Sequence, residues 1–193
     1  GGTLKVNGGK LIVTGNYKID NAGTRVPALL EMLNSADYIR VDGDFVMNSL
    51  HDHANRLSAG LLELKGNFSQ LGTSSTSDGA RNNFYANGTH KVLLSGSGLQ
   101  TASFEGLSAG YSHFNILEIT NTSAPGVSLL PSFSASTLVN GTIKLNAMVV
   151  ENMVFTLNEN KVIDGDLQLK AATLDLAGHT LTVNGDLLQT GGT

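Results

Sequence analysis

His51-Asp52-His53 is the most metal-like triplet in the chain, because alternate residues of an extended segment project to one side and two imidazoles can meet one ion. No further ligand follows at a telling distance, and Asp52 projects the opposite way, so the triplet reads as a polar loop. Asp42-Gly43-Asp44, Asp164-Gly165-Asp166 and Asn184-Gly185-Asp186 offer oxygens of the kind calcium takes. Their spacing fits neither the helix-loop calcium motif nor the Gly-Gly-x-Gly-x-Asp roll, and they read as turns. Carbohydrate cleavage needs a carboxylate pair, or a calcium with a basic residue, in a groove. Asp78, Arg81, His90, Glu105 and His113 are the candidates, and their scatter fixes no pairing. His113, between Ser112 and Phe114 at a strand entry, reads as a structural side chain. Tyr17, Phe45 and Phe68 suit sugar stacking, but their shared phase makes core filling the stronger reading. The Asn-x-Ser/Thr triplets at Asn67, Asn87, Asn121 and Asn140 are glycan acceptors only in a eukaryotic secretory pathway; elsewhere they serve turns and ladders. No catalytic, cofactor-binding or metal-ligating set is assigned.

The elements that would carry these residues follow from a recurring unit. Alternating apolar residues end in a Gly-Asp or Gly-Asn corner at Leu11-x-Val13-x-Gly15-Asn16-Tyr17, Ile39-x-Val41-x-Gly43-Asp44-Phe45 and Leu62-x-Leu64-x-Gly66-Asn67-Phe68. Val162-Ile163-x-Gly165-Asp166-Leu167 and Leu181-x-Val183-x-Gly185-Asp186-Leu187 repeat it. Period two turns one face of each strand inward. Glycine is expected to supply positive φ at the bend, and the Asp or Asn to satisfy corner backbone groups. Residues 3–17 are echoed by 173–187, and residues 165–173 align with 185–193 twenty positions on. That spacing predicts an all-β fold, a right-handed parallel β-helix of about eight rungs forming a rod on the order of 40 Å long. Thr193 falls where Thr173 stood one unit earlier, which predicts one solenoid domain, a segment of a longer array with uncapped ends prone to end-to-end stacking.

Composition agrees. In 193 residues there are 23 Gly, 3 Pro, no Cys and no Trp, with aromatics at 6%. Small and β-branched residues suit short strands and tight corners better than a core built on large rings. A net charge of −4 gives no electrostatic footprint for nucleic acid. The lack of Cys removes disulfides, thiolate metal sites and a thiol nucleophile. No apolar run reaches a membrane span, and with a strand pattern opening directly after Gly1 no signal peptide is expected within these residues. Val26-Pro27-Ala28-Leu29-Leu30-Glu31-Met32-Leu33 fits either a short helix or a rung strand, and the longer-range repeat favours strand. Residues 46–60 and 69–83 are polar insertions expected to bulge from one side. From Asn82, strands are expected at Lys91–Leu94, Thr101–Phe104, Phe114–Ile119, Val127–Leu130, Ile143–Leu145 and Met148–Val150.

The Gly-Asp/Asn-aromatic corners, with Asn87–Gly96 and Gly110–Ile119, resemble solenoid segments of very large bacterial surface or secreted proteins, similar to filamentous-haemagglutinin-type adhesins. The resemblance implies a non-enzymatic stalk or adhesive surface at the bacterial cell surface or outside the cell. Its partners would be neighbouring repeats of the same polypeptide and a surface glycan or host protein, with no cofactor. The two insertions depart from the regular pattern and keep open a glycan-binding or polysaccharide-cleaving β-helix. A scaffold segment of a secreted toxin assembly is the third expectation.

Overall fold

The computed structural model describes residues 2–21, 26–72, 81–105, 111–121, 127–129, 135–138, 147–151, 154–157, 160–163 and 166–192. It is nearly all β, and its pairings are parallel throughout the named strands. The chain winds past three walls in turn. The first wall holds β1 (Gly2–Lys5) and β4 (Ala28–Glu31), and single bridges carry it on from Met32 to Leu57 and from Leu57 to Ala86. The second wall stacks β2 (Lys10–Val13), β5 (Tyr38–Val41), β7 (Leu61–Leu64), β9 (Lys91–Leu94), β11 (Phe114–Ile119) and β13 (Ala135–Leu138). The third stacks β3 (Tyr17–Asp20), β6 (Phe45–Asn48), β8 (Phe68–Gln70), β10 (Gln100–Phe104), β12 (Val127–Leu129) and β14 (Ala147–Glu151). It continues into β17 (Asp166–Asp175) and β19 (Leu187–Gly192). Beside these run β15 (Val154–Thr156), β16 (Lys161–Ile163) and β18 (Leu181–Val183). A chain that passes the same walls repeatedly, pairing parallel each time, is a β-solenoid.

The expected rung count needs correction. Among the described residues, turns whose three walls are all joined to a neighbour and whose interior is sealed number about four, across 28–48, 57–70, 84–104 and 113–121 with 127–129. The reason is that pairing and enclosure differ: strands stack beyond this region, but Leu4, Leu187 and Leu188 at the two ends are 37%, 58% and 48% exposed. The twenty-residue period is also local. Leu167 pairs with Leu187 at that spacing, whereas Tyr17 pairs with Phe45 and Phe68 with Ala102, because the earlier corners are longer.

Period-two burial makes the interior. Leu30, Ile39, Val41, Met47, Leu57, Leu62, Leu64, Val92 and Leu94 have no exposed surface. Phe45, Phe68 and Leu167, each after a Gly-Asp/Asn corner, point inward as expected, and Phe45 is stacked on Phe68 at 5.7 Å while Tyr17 meets Phe45 edge-on at 5.5 Å; Leu187 in the last coil is 58% exposed. Residues 28–31 form a strand, so the repeat outweighs the local helical pattern. Pro125, Pro131, Asn140 and Ile143–Leu145 lie outside the described residues.

The corner glycines act differently from the expectation. Gly15, Gly43 and Gly66 are not among the positive-φ residues. Gly43 and Gly66 provide close approach: a Cβ on Gly43 would strike the Asn16 side chain and the Gly15 backbone, and one on Gly66 would strike the Gly43 backbone, whereas a Cβ on Gly15 would meet open space. The Asp/Asn half of the corner does as expected. Asn16 Oδ1 accepts the Asp44 N–H at 2.8 Å, Asp44 Oδ1 accepts that of Asn67 at 2.9 Å, and Asn67 Oδ1 accepts that of Thr101 at 2.8 Å.

Candidate functional site

The stretch 46–60 does not bulge as a polar insertion. Val46–Asn48 completes β6, Ser49 and His53 are buried, and Leu57 belongs to the first wall. Of 69–83, Ser69 and Gln70 lie in β8 and Asn83 is buried, while residues 73–80, including Asp78, lie outside the described residues. Both insertions contribute side chains to the interior because the turn there needs polar groups to satisfy its corner backbone.

His51 and His53 do not share a direction of use. His53 is sealed inside, its Nε2 accepting the Leu30 N–H at 3.1 Å and its Nδ1 lying 3.0 Å from the His51 carbonyl, which assigns the proton to Nδ1. Burial drives its pKa down to about 4, against the pull of its contact with the His51 carbonyl. His51 is half-buried, with its Nδ1 3.4 Å from Asn21 Nδ2. Among the described residues no group of three His, Cys, Asp or Glu is placed to hold a metal ion.

His90 is fully buried on the corner between the first and second walls, edge-on to Phe84 at 6.1 Å. Neither ring nitrogen meets a hydrogen-bond partner among the described residues. Burial lowers its pKa to about 4 although the Asp37 charge pulls the other way. Asp37 itself spends its carboxylate on backbone, accepting the N–H of Gly8 and, at 3.0 Å, that of Asn34. Glu105 accepts the Gly72 N–H at 2.9 Å.

The structure does bring two of the scattered candidates to one place. On the first wall, Arg81 lies with its guanidinium 5.3 Å from the Tyr111 ring centroid and 3.4 Å from its hydroxyl. His113 Nδ1 donates to the Tyr111 carbonyl at 2.7 Å, and the ring meets that of Tyr85 edge-to-face at 4.5 Å. Arg81, Tyr85 and Tyr111 are half-buried and His113 is buried, so two phenols and a guanidinium face outward over a packed imidazole. This patch has rings for stacking and a cation for an acidic or hydroxyl group. Spacing could not reveal it, since Tyr85 and His113 come together only through a bridge across coils.

A second feature that sequence reading missed is an interior polar spine. Asn21 Oδ1 accepts the Leu50 N–H at 2.8 Å and lies 3.2 Å from Ser49 Oγ. Asn83 Nδ2 donates to the carbonyls of Ser49 and Leu71, both at 2.8 Å, and its Oδ1 accepts from Gln70 Nε2 at 2.8 Å. Ser112 Oγ, 3.3 Å from that same Oδ1, is 2.6 Å from the Arg81 carbonyl and accepts the Phe84 N–H. Four coils are thereby laced through one column. Gln100 does likewise for the third wall, accepting the Gly96 N–H and donating to the carbonyls of Leu64 and Gly66. On the outer face of the second wall, Glu63 takes hydrogen bonds from Tyr38, from Lys65 at 2.8 Å and from Ser95 at 2.8 Å. Burial pushes its carboxyl up, but these donors together outweigh that and hold it down at about 2. Tyr38 rises to about 12 through its own burial and the Glu63 bond.

No protein-family model matches the chain, and neither a curated protein nor a solved structure matches it. Among the described residues no helix is long and apolar enough to cross a membrane.

Proposed function

We propose that this chain is a non-enzymatic structural module of a bacterial cell-surface or secreted protein, a stiff coil that spaces or displays other parts of that protein. One observation carries the reading: among the described residues, many of the polar side chains are spent on backbone of neighbouring coils or on ion pairs along the walls. Asn83, Gln100, His53 and Asp37 turn their polar atoms to backbone of neighbouring coils, and Glu31, Glu63 and Glu118 are ion-paired on outer walls with Lys5 and Arg56, Lys65, and Lys91. Charges held this way brace a shaft and are withdrawn from acid–base work. A lyase and hydrolase screen on acidic and neutral polysaccharides, with and without calcium, tests it. No turnover is expected, and measurable chain cleavage would overturn it.

The Arg81–Tyr111–Tyr85 patch favours a second reading, a glycan-binding wall of the same shaft. A glycan array on the chain and on its Tyr111→Ala variant separates the two, since binding that the variant loses belongs to the patch.

A further inference from the structure

The outward column of the first wall can be followed coil by coil. Glu31 pairs with Lys5 in register and at 3.0 Å, and it also accepts from the Arg56 guanidinium, so one carboxylate serves two cations. The bridges from Met32 to Leu57 and from Leu57 to Ala86 set Arg56 level with Glu31 on one side and Tyr85 on the other, and the next bridge sets Tyr85 level with His113. Arg56 and Tyr85 are half-buried on this face. Beside the far end of the column, the Arg81 guanidinium lies 5.3 Å from the Tyr111 ring centroid and donates to its hydroxyl at 3.4 Å. Arg40 and Arg56 are ion-paired, whereas Arg81 has no carboxylate partner among the described residues. One coil back stands Asp52, exposed, its Oδ1 accepting the Ala54 N–H at 2.6 Å; it precedes His53, whose N–H bonds the Asn82 carbonyl at 3.0 Å.

We propose that this face, taken as the glycan-binding wall of the second reading above, binds an acidic polysaccharide of the uronic-acid type. The strand lies along the coil axis with one sugar carboxylate on Arg81, sugar rings against Tyr111 and Tyr85, and a further carboxylate at Arg56. A guanidinium stacked on an aromatic ring keeps its N–H fork in one plane, which meets a planar carboxylate through two parallel hydrogen bonds. Because Tyr111 already holds Arg81, little side-chain freedom is lost when the acid arrives. Phenol hydroxyls both donate and accept, as sugar hydroxyls require of a partner. Coils repeat about every 4.8 Å. The column therefore offers an extended strand a row of contacts, and an open wall gains affinity by such repetition. Charge selects the acid form: on this wall Lys5, Arg56 and Arg81 outnumber Glu31 and Asp52, in a chain whose net charge is −4. So small an excess suits a polymer with one carboxylate per sugar and not a densely sulfated one.

Biolayer interferometry of the 193-residue chain on immobilised polygalacturonate, its fully methyl-esterified form, a neutral glucan and dextran sulfate provides the test. Binding to polygalacturonate is expected, weakening as salt rises and about tenfold or more weaker on the ester and the glucan. Dextran sulfate should bind no tighter than polygalacturonate. Arg81→Gln should weaken binding about tenfold or more with the thermal midpoint unchanged, and Arg81→Lys, which keeps the charge without the fork, should recover only part of it. Arg40→Gln, on the second wall, should leave binding as it was, and Asp52→Asn should strengthen it about twofold. Equal binding of acid and ester that Tyr111→Ala abolishes would overturn acid recognition and leave a neutral glycan-binding wall standing. No binding to any of these polymers would overturn both. Tighter capture by dextran sulfate, or an equal loss in Arg40→Gln, would mark diffuse charge attraction and overturn the uronate site as well.

Discussion

His90→Leu removes a buried ring whose two nitrogens have no partner among the described residues, and replaces it with an apolar side chain of similar size beside Phe84. A neutral imidazole always carries one N–H, and burying it without an acceptor costs about 1–3 kcal/mol. His90→Leu should therefore stabilise the fold by about 1–3 kcal/mol near neutral pH, raising the midpoint by roughly 2–10 °C for a chain of this size. The pH dependence adds an independent sign. Held at about 4 in the fold against 6.5 unfolded, His90 binds its proton only when the chain opens, so stability is complete above pH 6.5 and falls as pH drops toward 4. At about pH 5 this amounts to about 2 kcal/mol for the one ring, and the buried His53, lowered to the same value, contributes a loss of about the same size. Urea unfolding followed by circular dichroism at about pH 8, 6.5 and 5 measures all of it. The variant should be more stable throughout and should lose only about half as much stability on acidification. His53→Leu is the contrast: it should halve the acid loss too, yet cost about 1–3 kcal/mol at pH 8, since the Leu30 N–H loses its acceptor. A His90→Leu protein that is less stable at pH 8 and keeps the full acid slope would refute the reasoning.

Other positions give further expectations. Asn83→Ala strips the hub of the polar spine and strands the Ser49 and Leu71 carbonyls and the Gln70 amide, costing about 3 kcal/mol or more, read by the same denaturation curves. Gly66→Ala drives a methyl group into the Gly43 backbone and should cost more than about 2 kcal/mol, although helix and strand propensity scales would count the change as small or favourable. Ala177→Gly relieves a left-handed residue at φ of 48° and should raise stability by about 1 kcal/mol, while Gly8→Ala at the equivalent turn should lower it by a similar amount.

How much was legible in the sequence divides along physical lines. Inward ladders such as Tyr17, Phe45 and Phe68 were readable because alternation and a fixed corner recur together, and both are local signals. The role of Gly43 and Gly66 was not, because a glycine kept for backbone approach looks the same in sequence as one kept for positive φ. The sealed extent of the coil was misjudged because pairing is set by each turn, whereas enclosure depends on all three walls meeting neighbours. The polar spine was invisible since Asn21, Ser49, Asn83 and Ser112 are separated by unequal stretches, so no period marks them. The Arg81–Tyr111–Tyr85 patch failed for the same reason, and the segment 46–60 misled because Ser49 and His53 there face inward to backbone.

The unequal turns have a mechanical consequence. A coil pulled from its end lengthens by one whole turn at a time, and extended chain spans up to about 3.3–3.6 Å per residue. The twenty residues between Leu167 and Leu187 thus release roughly 70 Å, and the longer loop between Phe68 and Ala102 roughly 115 Å. Tension applied along the chain would write these increments as a ruler of uneven steps, short where Leu167 peels from Leu187 and long through the middle, so that the trace of extension against force identifies which coil has let go.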